Sequence, residues 1–204
     1  MLTLFHSPDS RSSRFIWLLE ELGAAYELAY VDIPRWSGKG RADPANPHPD
    51  KRVPALLHDD QLVTESAAIA LYLTDAFPQA GLGAPVGDPG RGAYLSWLAF
   101  YAGEIEMAFN MLRRGWLDKD PHRALAKDYE RIQNRLVAAL DQGPYLMGGR
   151  FTAADILVAS PYQWMRDFGP PSPSIDGWLA RLAERPAAIR AAALDQPAAS
   201  APTA

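Results

Sequence analysis

Arg52-Val53-Pro54-Ala55-Leu56-Leu57-His58-Asp59-Asp60-Gln61-Leu62-Val63-Thr64-Glu65-Ser66 is the stretch on which the fold turns. Ala55 to Leu57 and Gln61 to Thr64 read as two short strands, and Asp59-Asp60 between them as a tight turn, so the pair forms a hairpin. Pro54 stands at the start of the first strand, where a missing N–H is tolerated. Directly after the hairpin, Ala67, Ala70, Leu71, Leu73 and Phe77 support a helix from Ser66 to Phe77 that Pro78 halts. This half is ββα.

Working towards the N-terminus, Leu2 to Phe5 suits a buried strand that His6-Ser7-Pro8-Asp9-Ser10 breaks. Phe15, Leu18, Leu19 and Leu22 then recur at helical spacing, with serines upstream to cap the start and Gly23 to end it. Tyr26 to Ile33 is a second strand, which completes a βαβ unit, and Pro34 to Pro49 is an irregular connection. Working towards the C-terminus, Pro78 to Pro89 loses all periodicity among glycines and prolines. The expected organisation is therefore a first domain at 1–77, a linker at 78–89 and an all-helical domain at 90–204. Helices are expected near 91–114, 122–142, 153–166 and 176–194, the last open to a break at Pro186. Phe151-Thr152-Ala153-Ala154-Asp155-Ile156 carries a capping box between Thr152 and Asp155 and a hydrophobic staple between Phe151 and Ile156. Pro197 to Ala204 is expected to fray.

Composition removes several classes of function. With 48% hydrophobic residues in 204, the chain can bury a sizeable core. A net charge of −4 with no basic run longer than two residues argues against nucleic acid as a partner. The apolar stretch Tyr94 to Leu112 holds Glu104 and Glu106, which reads as a buried helix and not a membrane span. The start lacks the features of a signal peptide, so a cytoplasmic location is expected. His6, His48, His58 and His122 have no ligand spacing, so no metal is expected, and neither a dinucleotide fingerprint, a phosphate loop nor a nucleophile elbow occurs. There is no cysteine, so any sulfur chemistry has to come from a ligand.

The order βαβ, ββα, then helices, together with Arg52-Val53-Pro54-Ala55-Leu56, Glu65-Ser66, Phe151-Thr152-Ala153-Ala154-Asp155 and the run Ser10 to Gly23, resembles the glutathione S-transferase family, in particular its serine-type bacterial members. The resemblance implies an α/β thioredoxin-like N-terminal domain followed by an all-α domain. It implies glutathione as co-substrate, a hydrophobic electrophile as second partner, a homodimer, and a role in detoxification.

A cis Val53-Pro54 bond would turn the Val53 N–H and C=O outward, where an extended peptide could pair with them. By resemblance that peptide is glutathione. Ser66, at a helix start, suits its γ-glutamyl carboxylate, and Glu65 its ammonium group. Ser10 is the expected partner of the sulfur, Ser12 the second choice, and Arg11 a source of positive charge. Helix capping is the competing role for the serines, and at least one of them is expected to cap. Arg52, Lys39 or Trp36 could reach the glycine carboxylate, and Tyr101 and Ile105 are the expected lining of an electrophile pocket. Phe5-His6 stands where tyrosine-type members carry their hydroxyl, and cysteine-type members are excluded by composition. The rival readings are a non-catalytic ligand-binding or regulatory protein of this fold and, through a loose match of the serine cluster, a glutathione-dependent isomerase resembling maleylacetoacetate isomerase.

Overall fold

The computed structural model describes residues 1–119 and 123–196. The expected fraying after Pro197 and His122 lie outside the described residues. The chain divides into two compact units, one built from Met1–Ala80 with Arg185 onward, the other from Gly81–Glu184.

The first unit holds a four-stranded sheet in the order β2-β1-β3-β4, with β1 (Leu2–His6), β2 (Tyr26–Tyr30), β3 (Ala55–His58) and β4 (Gln61–Val63). β1 and β2 are parallel, joined through α1 (Ser13–Leu22), whereas β1 with β3 and β3 with β4 are antiparallel. Leu2, Leu4 and His6 alternate inward along β1 and are buried. Phe15, Ile16, Leu18 and Leu19 of α1 and Ile69, Ala70 and Leu73 of α2 (Ser66–Ala76) are buried in the same unit. Each of the leucine, isoleucine and phenylalanine side chains among them contributes about 1.5–3 kcal/mol when fully buried. Gly23 ends α1 at φ 61°, the left-handed conformation that glycine adopts at little cost. The second strand stops short of the expected Ile33, although the Val31 N–H still reaches the His6 carbonyl at 2.8 Å. The connection after it stays irregular and turns back at Gly40, where a Cβ would sit 2.1 Å from the Ile33 carbonyl oxygen.

The expected domain boundary needs one correction. The 176–194 helix is two helices, α7 (Pro173–Ala183) and α8 (Pro186–Leu194), and the chain from Arg185 belongs to the first unit, not to the helical one. Pro186 lies at the first turn of α8, where its missing N–H is harmless. α8 packs on α1 through Ala187 and Ala191, whose small side chains allow close approach, and two ion pairs clamp it. Arg185 forks onto Glu21 at 2.5 and 2.8 Å, and Arg190 reaches Glu20 at 2.7 Å. These are sequence-distant pairs that no local pattern announces.

The second unit is helical: α3 (Arg91–Phe100), α4 (Glu106–Arg113), α5 (Ala124–Leu140), α6 (Ala153–Trp164) and α7. α3 and α4 are joined without a break by a π-helical turn over Tyr101–Ile105, so the single expected helix at 91–114 has one wide turn in its middle. α6 is buried from Ala153 to Tyr162 on all sides. Its Pro161 cannot donate to the Leu157 carbonyl, and the Ser160 hydroxyl does so instead at 2.8 Å. The capping box at its start is formed, and Asp155 Oδ1 also accepts the Leu146 N–H at 2.9 Å and the Trp178 indole N–H at 3.1 Å. No helix among the described residues is long and apolar enough to cross a membrane.

Candidate active site

The polar residues that interrupt β1 form a closed hydrogen-bond cluster at the head of α1. β1 delivers His6 into full burial, and its Nδ1 lies 2.8 Å from Ser12 Oγ. On the ring's other side Nε2 lies 3.1 Å from the main-chain oxygen of Asp195, just past α8. A carbonyl oxygen can only accept, so Nε2 carries the hydrogen, and in the neutral ring Nδ1 is the acceptor of the Ser12 proton. Burial lowers the His6 pKa from 6.5; the Asp195 carbonyl and carboxylate and the Asp9 carboxylate oppose that shift, while the Arg35 guanidinium adds to it.

With its proton on His6, Ser12 Oγ offers only lone pairs, which face the Ser7 N–H at 3.2 Å and Ser10 Oγ at 2.8 Å. Ser12 is itself fully buried. Ser10 is half-buried, and its one hydroxyl proton has two acceptors, the Ser7 carbonyl at 2.6 Å and Ser12 Oγ. At the head of α1, Ser10 Oγ accepts the Ser12 N–H at 3.2 Å and Ser13 Oγ accepts the Ser10 N–H at 3.3 Å, so two of the serines hold main-chain donors there. Ser12 holds the N-cap position without a side-chain cap bond, because its oxygen is turned to His6 and Ser7. Arg35 supports the loop from the far side, donating to Ser7 Oγ at 2.9 Å and to the Pro8 carbonyl at 2.8 Å. Asp195 Oδ2 accepts the Asp9 N–H at 3.2 Å.

The second half of the cluster lies at the same end of the sheet. Phe5 pairs with Ala55 as the last pair of this antiparallel register, so Val53-Pro54 directly precedes the ladder at the end where β1 runs into His6. The Val53-Pro54 peptide bond is cis, and Val53 lies outside the registered ladder, which begins at Ala55. Glu65 is exposed and holds φ 67° and ψ 124°, a conformation that costs a non-glycine residue on the order of 1–3 kcal/mol. It occupies the N-cap of α2 with no side-chain cap bond, so the first-turn N–H groups of α2 have no side chain of that cap closing them. Ser66 therefore does not cap its helix. Its oxygen instead accepts a hydrogen bond from the buried Arg14 guanidinium at 3.0 Å, which leaves its own proton to give and sets a cation behind it.

The remaining expected residues distribute less tightly. Arg11 flanks the serines at intermediate exposure. Trp36, Lys39 and Arg52 are exposed, and within the irregular connection it is Arg35 that meets the serine loop. Tyr101 and Ile105 are 1% and 0% exposed, and the Tyr101 hydroxyl is bonded to the Glu106 carboxylate. They pack within the helical unit, as apolar residues at helical spacing first fill the interior. Among the described residues no group of three or more His, Asp and Glu could hold a metal ion.

Sequence reasoning missed four participants. Arg14 and Arg35 look like ordinary surface cations, His6 was informative only for what it is not, and Asp195 lies 189 positions from the ring it orients. The one available signal was Arg14, placed on the apolar side of α1 next to Phe15 and Leu18, where an unpartnered cation would be costly.

Comparison with known proteins places these features in a family context. Residues 1–75 match the family model described as "Glutathione S-transferase, N-terminal domain", and residues 117–186 the one described as "Glutathione S-transferase, C-terminal domain". The chain is 30% identical over 164 residues to glutathione S-transferase GstA of Escherichia coli O157:H7, covering 80% of this chain and 82% of that protein. A glutathione transferase from Methylococcus capsulatus superposes with a TM-score of 0.79 at 30% identity, over 96% of this chain and 98% of that one. A sphingomonad glutathione S-transferase solved in complex with glutathione gives 0.77 at 28% identity, over 95% and 98%.

Proposed function

Because the chain belongs to the glutathione S-transferase family, we propose that it binds glutathione on its sheet-containing unit, holds the tripeptide's sulfur as a thiolate beside Ser10, and lets that thiolate attack an electrophilic carbon. The observation that carries this reading is the convergence, at one end of the sheet, of the Ser10 hydroxyl at the head of α1 with a strained Glu65 and an Arg14-backed Ser66 at the open head of α2.

In this reading glutathione lies extended along Val53 and pairs with its main chain. The γ-glutamyl carboxylate takes the Ser66 N–H and hydroxyl, with the positive end of α2 and the Arg14 cation behind them. Its ammonium group faces Glu65. The glycine carboxylate extends towards Arg52, Lys39 or Trp36.

The reactive species is the thiolate, and a free thiol with a pKa of about 8.5 is mostly protonated near neutrality. Lowering that value by about two units needs roughly 2.7 kcal/mol, within reach of one charge-assisted hydrogen bond plus the head of a helix. Ser10 can supply that bond by swinging its proton from the Ser7 carbonyl to the sulfur. Ser12 cannot, since its proton is on His6. Arg11 adds positive charge nearby. The protein contributes position and electrostatics, and the chemistry is that of the tripeptide's sulfur. The same reading takes the protein to be a cytoplasmic homodimer with a role in detoxification, in keeping with its family.

One observation favours a second reading, a non-catalytic binding protein: the Ser10 proton already has a good internal acceptor at 2.6 Å. Retention on immobilised glutathione, together with an absorbance assay using a chlorodinitrobenzene-type electrophile, separates the two. The transferase reading expects retention, turnover, and a loss of about tenfold or more in kcat/KM for Ser10→Ala with glutathione binding kept. Retention without turnover supports the binding protein, and full activity in Ser10→Ala rejects the catalytic assignment.

A further inference from the structure

A thiolate that forms inside a protein leaves a proton to be placed, and the cluster behind Ser10 holds a destination for it. His6 Nδ1, Ser12 Oγ and Ser10 Oγ follow one another at 2.8 Å and 2.8 Å, and the ring's far nitrogen is fixed by the Asp195 main chain. Asp195 Oδ1 lies 3.5 Å from the same Nε2, is buried, and has no hydrogen-bond partner among the described residues. A buried carboxylate oxygen left in that state beside a neutral imidazole is costly. Beside an imidazolium it is compensated.

Resting on the transferase reading above, we infer that His6 is the store for the glutathione thiol proton, reached through the hydroxyls of Ser12 and Ser10. The thiol S–H bond breaks and its proton passes to Ser10 Oγ, as the Ser10 proton passes to Ser12 Oγ and the Ser12 proton to His6 Nδ1. Each hydroxyl ends with one proton, Nδ1–H is the bond formed, and the sulfur keeps the electron pair. Every hydrogen bond in the chain then points the other way, from Nδ1–H to Ser12, from Ser12 to Ser10, and from Ser10 to the thiolate. The charges change from neutral thiol and neutral ring to thiolate and imidazolium, with Asp195 on the far side of the ring. This is the logic of a base held by a third group, with two hydroxyls interposed.

His6 touches neither substrate and is a positioning residue. Its burial leaves the hydroxyl chain as its route for proton exchange. The charged and titratable groups around it are Asp195 at the end of α8, Asp9 in the loop, Arg35 after β2, and the Tyr30 ring of β2 edge-on at 5.4 Å.

The test is a proton inventory. Glutathione is bound to the protein at pH 7.5 in buffers of differing ionisation enthalpy, and thiolate is followed by its ultraviolet absorbance. The wild type is expected to form thiolate while releasing far less than one proton per thiolate. His6→Asn, whose amide oxygen can take the Ser12 proton but hold no second one, is expected to release one proton per thiolate. It should lose about tenfold or more in kcat/KM near neutrality, lose the His6-dependent limb of its pH profile, and keep its affinity for glutathione. Ser12→Ala should behave as His6→Asn does. Equal proton release and equal pH profiles for wild type and His6→Asn overturn the inference. So does release of one full proton per thiolate by the wild type, a measurement that stands even if His6→Asn does not fold. Ser10→Ala keeps this apart from the function it rests on: unchanged thiolate and turnover in that variant sink the transferase reading itself, whereas loss in Ser10→Ala beside a normal His6→Asn sinks only the store.

Discussion

Two helices of this molecule begin with a hydroxyl residue and an acid close together, and they use them in opposite ways. At α6 the acid and hydroxyl close the helix start: Asp155 takes the N–H groups of Thr152 and Leu146 and the indole N–H of Trp178, all out of solvent. At α2 the exposed Glu65 makes no cap bond, stands in a strained conformation, and is followed by a serine whose oxygen faces an arginine from another helix. A helix head that satisfies itself is structure. One left open at a cost in conformational energy, with a cation buried behind it, is the arrangement on which the proposed binding of the γ-glutamyl carboxylate rests.

Substitutions at the two heads sharpen or break that contrast. The largest effect is expected for Asp155→Ala, which strands three N–H donors and the Thr152 hydroxyl and should cost about 3–6 kcal/mol in urea denaturation. A cost below about 1 kcal/mol would mean that the α6 head is not the closed structure described. Next comes Ser66→Ala. Its stability should fall by about 1–2 kcal/mol through the one Arg14 donor it strands, less than for Asp155→Ala, while glutathione affinity measured by titration calorimetry falls about tenfold. If stability fell and affinity did not, α2 would be no different from α6.

Smaller still is the difference between Glu65→Gly and Glu65→Ala. Both remove the carboxylate and should weaken glutathione alike, but glycine relaxes the positive φ and should leave the protein about 1 kcal/mol more stable than alanine does. Equal melting points would show the backbone there to be unstrained. The smallest effect is the pH dependence contributed by His6. Its folded pKa lies below the unfolded value of 6.5, so between those two values the unfolded chain binds more protons and stability falls as pH falls. Melting curves from pH 8 to 5 should therefore decline less steeply below 6.5 for His6→Asn than for the wild type.

Much of this was legible in the chain because it is local. The strands, the hairpin turn at Asp59-Asp60, the glycine stop at Gly23 and the capping box of α6 each depend on residues within a few positions of one another. Glu65-Ser66 and the serine loop were legible as motifs, while their surroundings were not. The Arg14–Ser66 contact spans 52 positions and the His6–Asp195 contact 189, and no periodicity encodes such distances. The π-helical turn was equally hidden, since Tyr101–Ile105 keeps a helical pattern of apolar residues whether or not one turn widens. The return of α8 to the first unit was masked by Pro186, which suggested a break but not a destination.

That return sets an order of events in synthesis. The unit carrying the sheet is interrupted by the whole helical unit, residues 81–184, and its last piece begins at Arg185. While the ribosome is still making the middle of the chain, the apolar side of α1 that Ala187 and Ala191 will cover stands open, and Glu21 waits for Arg185. The first half to emerge is therefore the last to be finished.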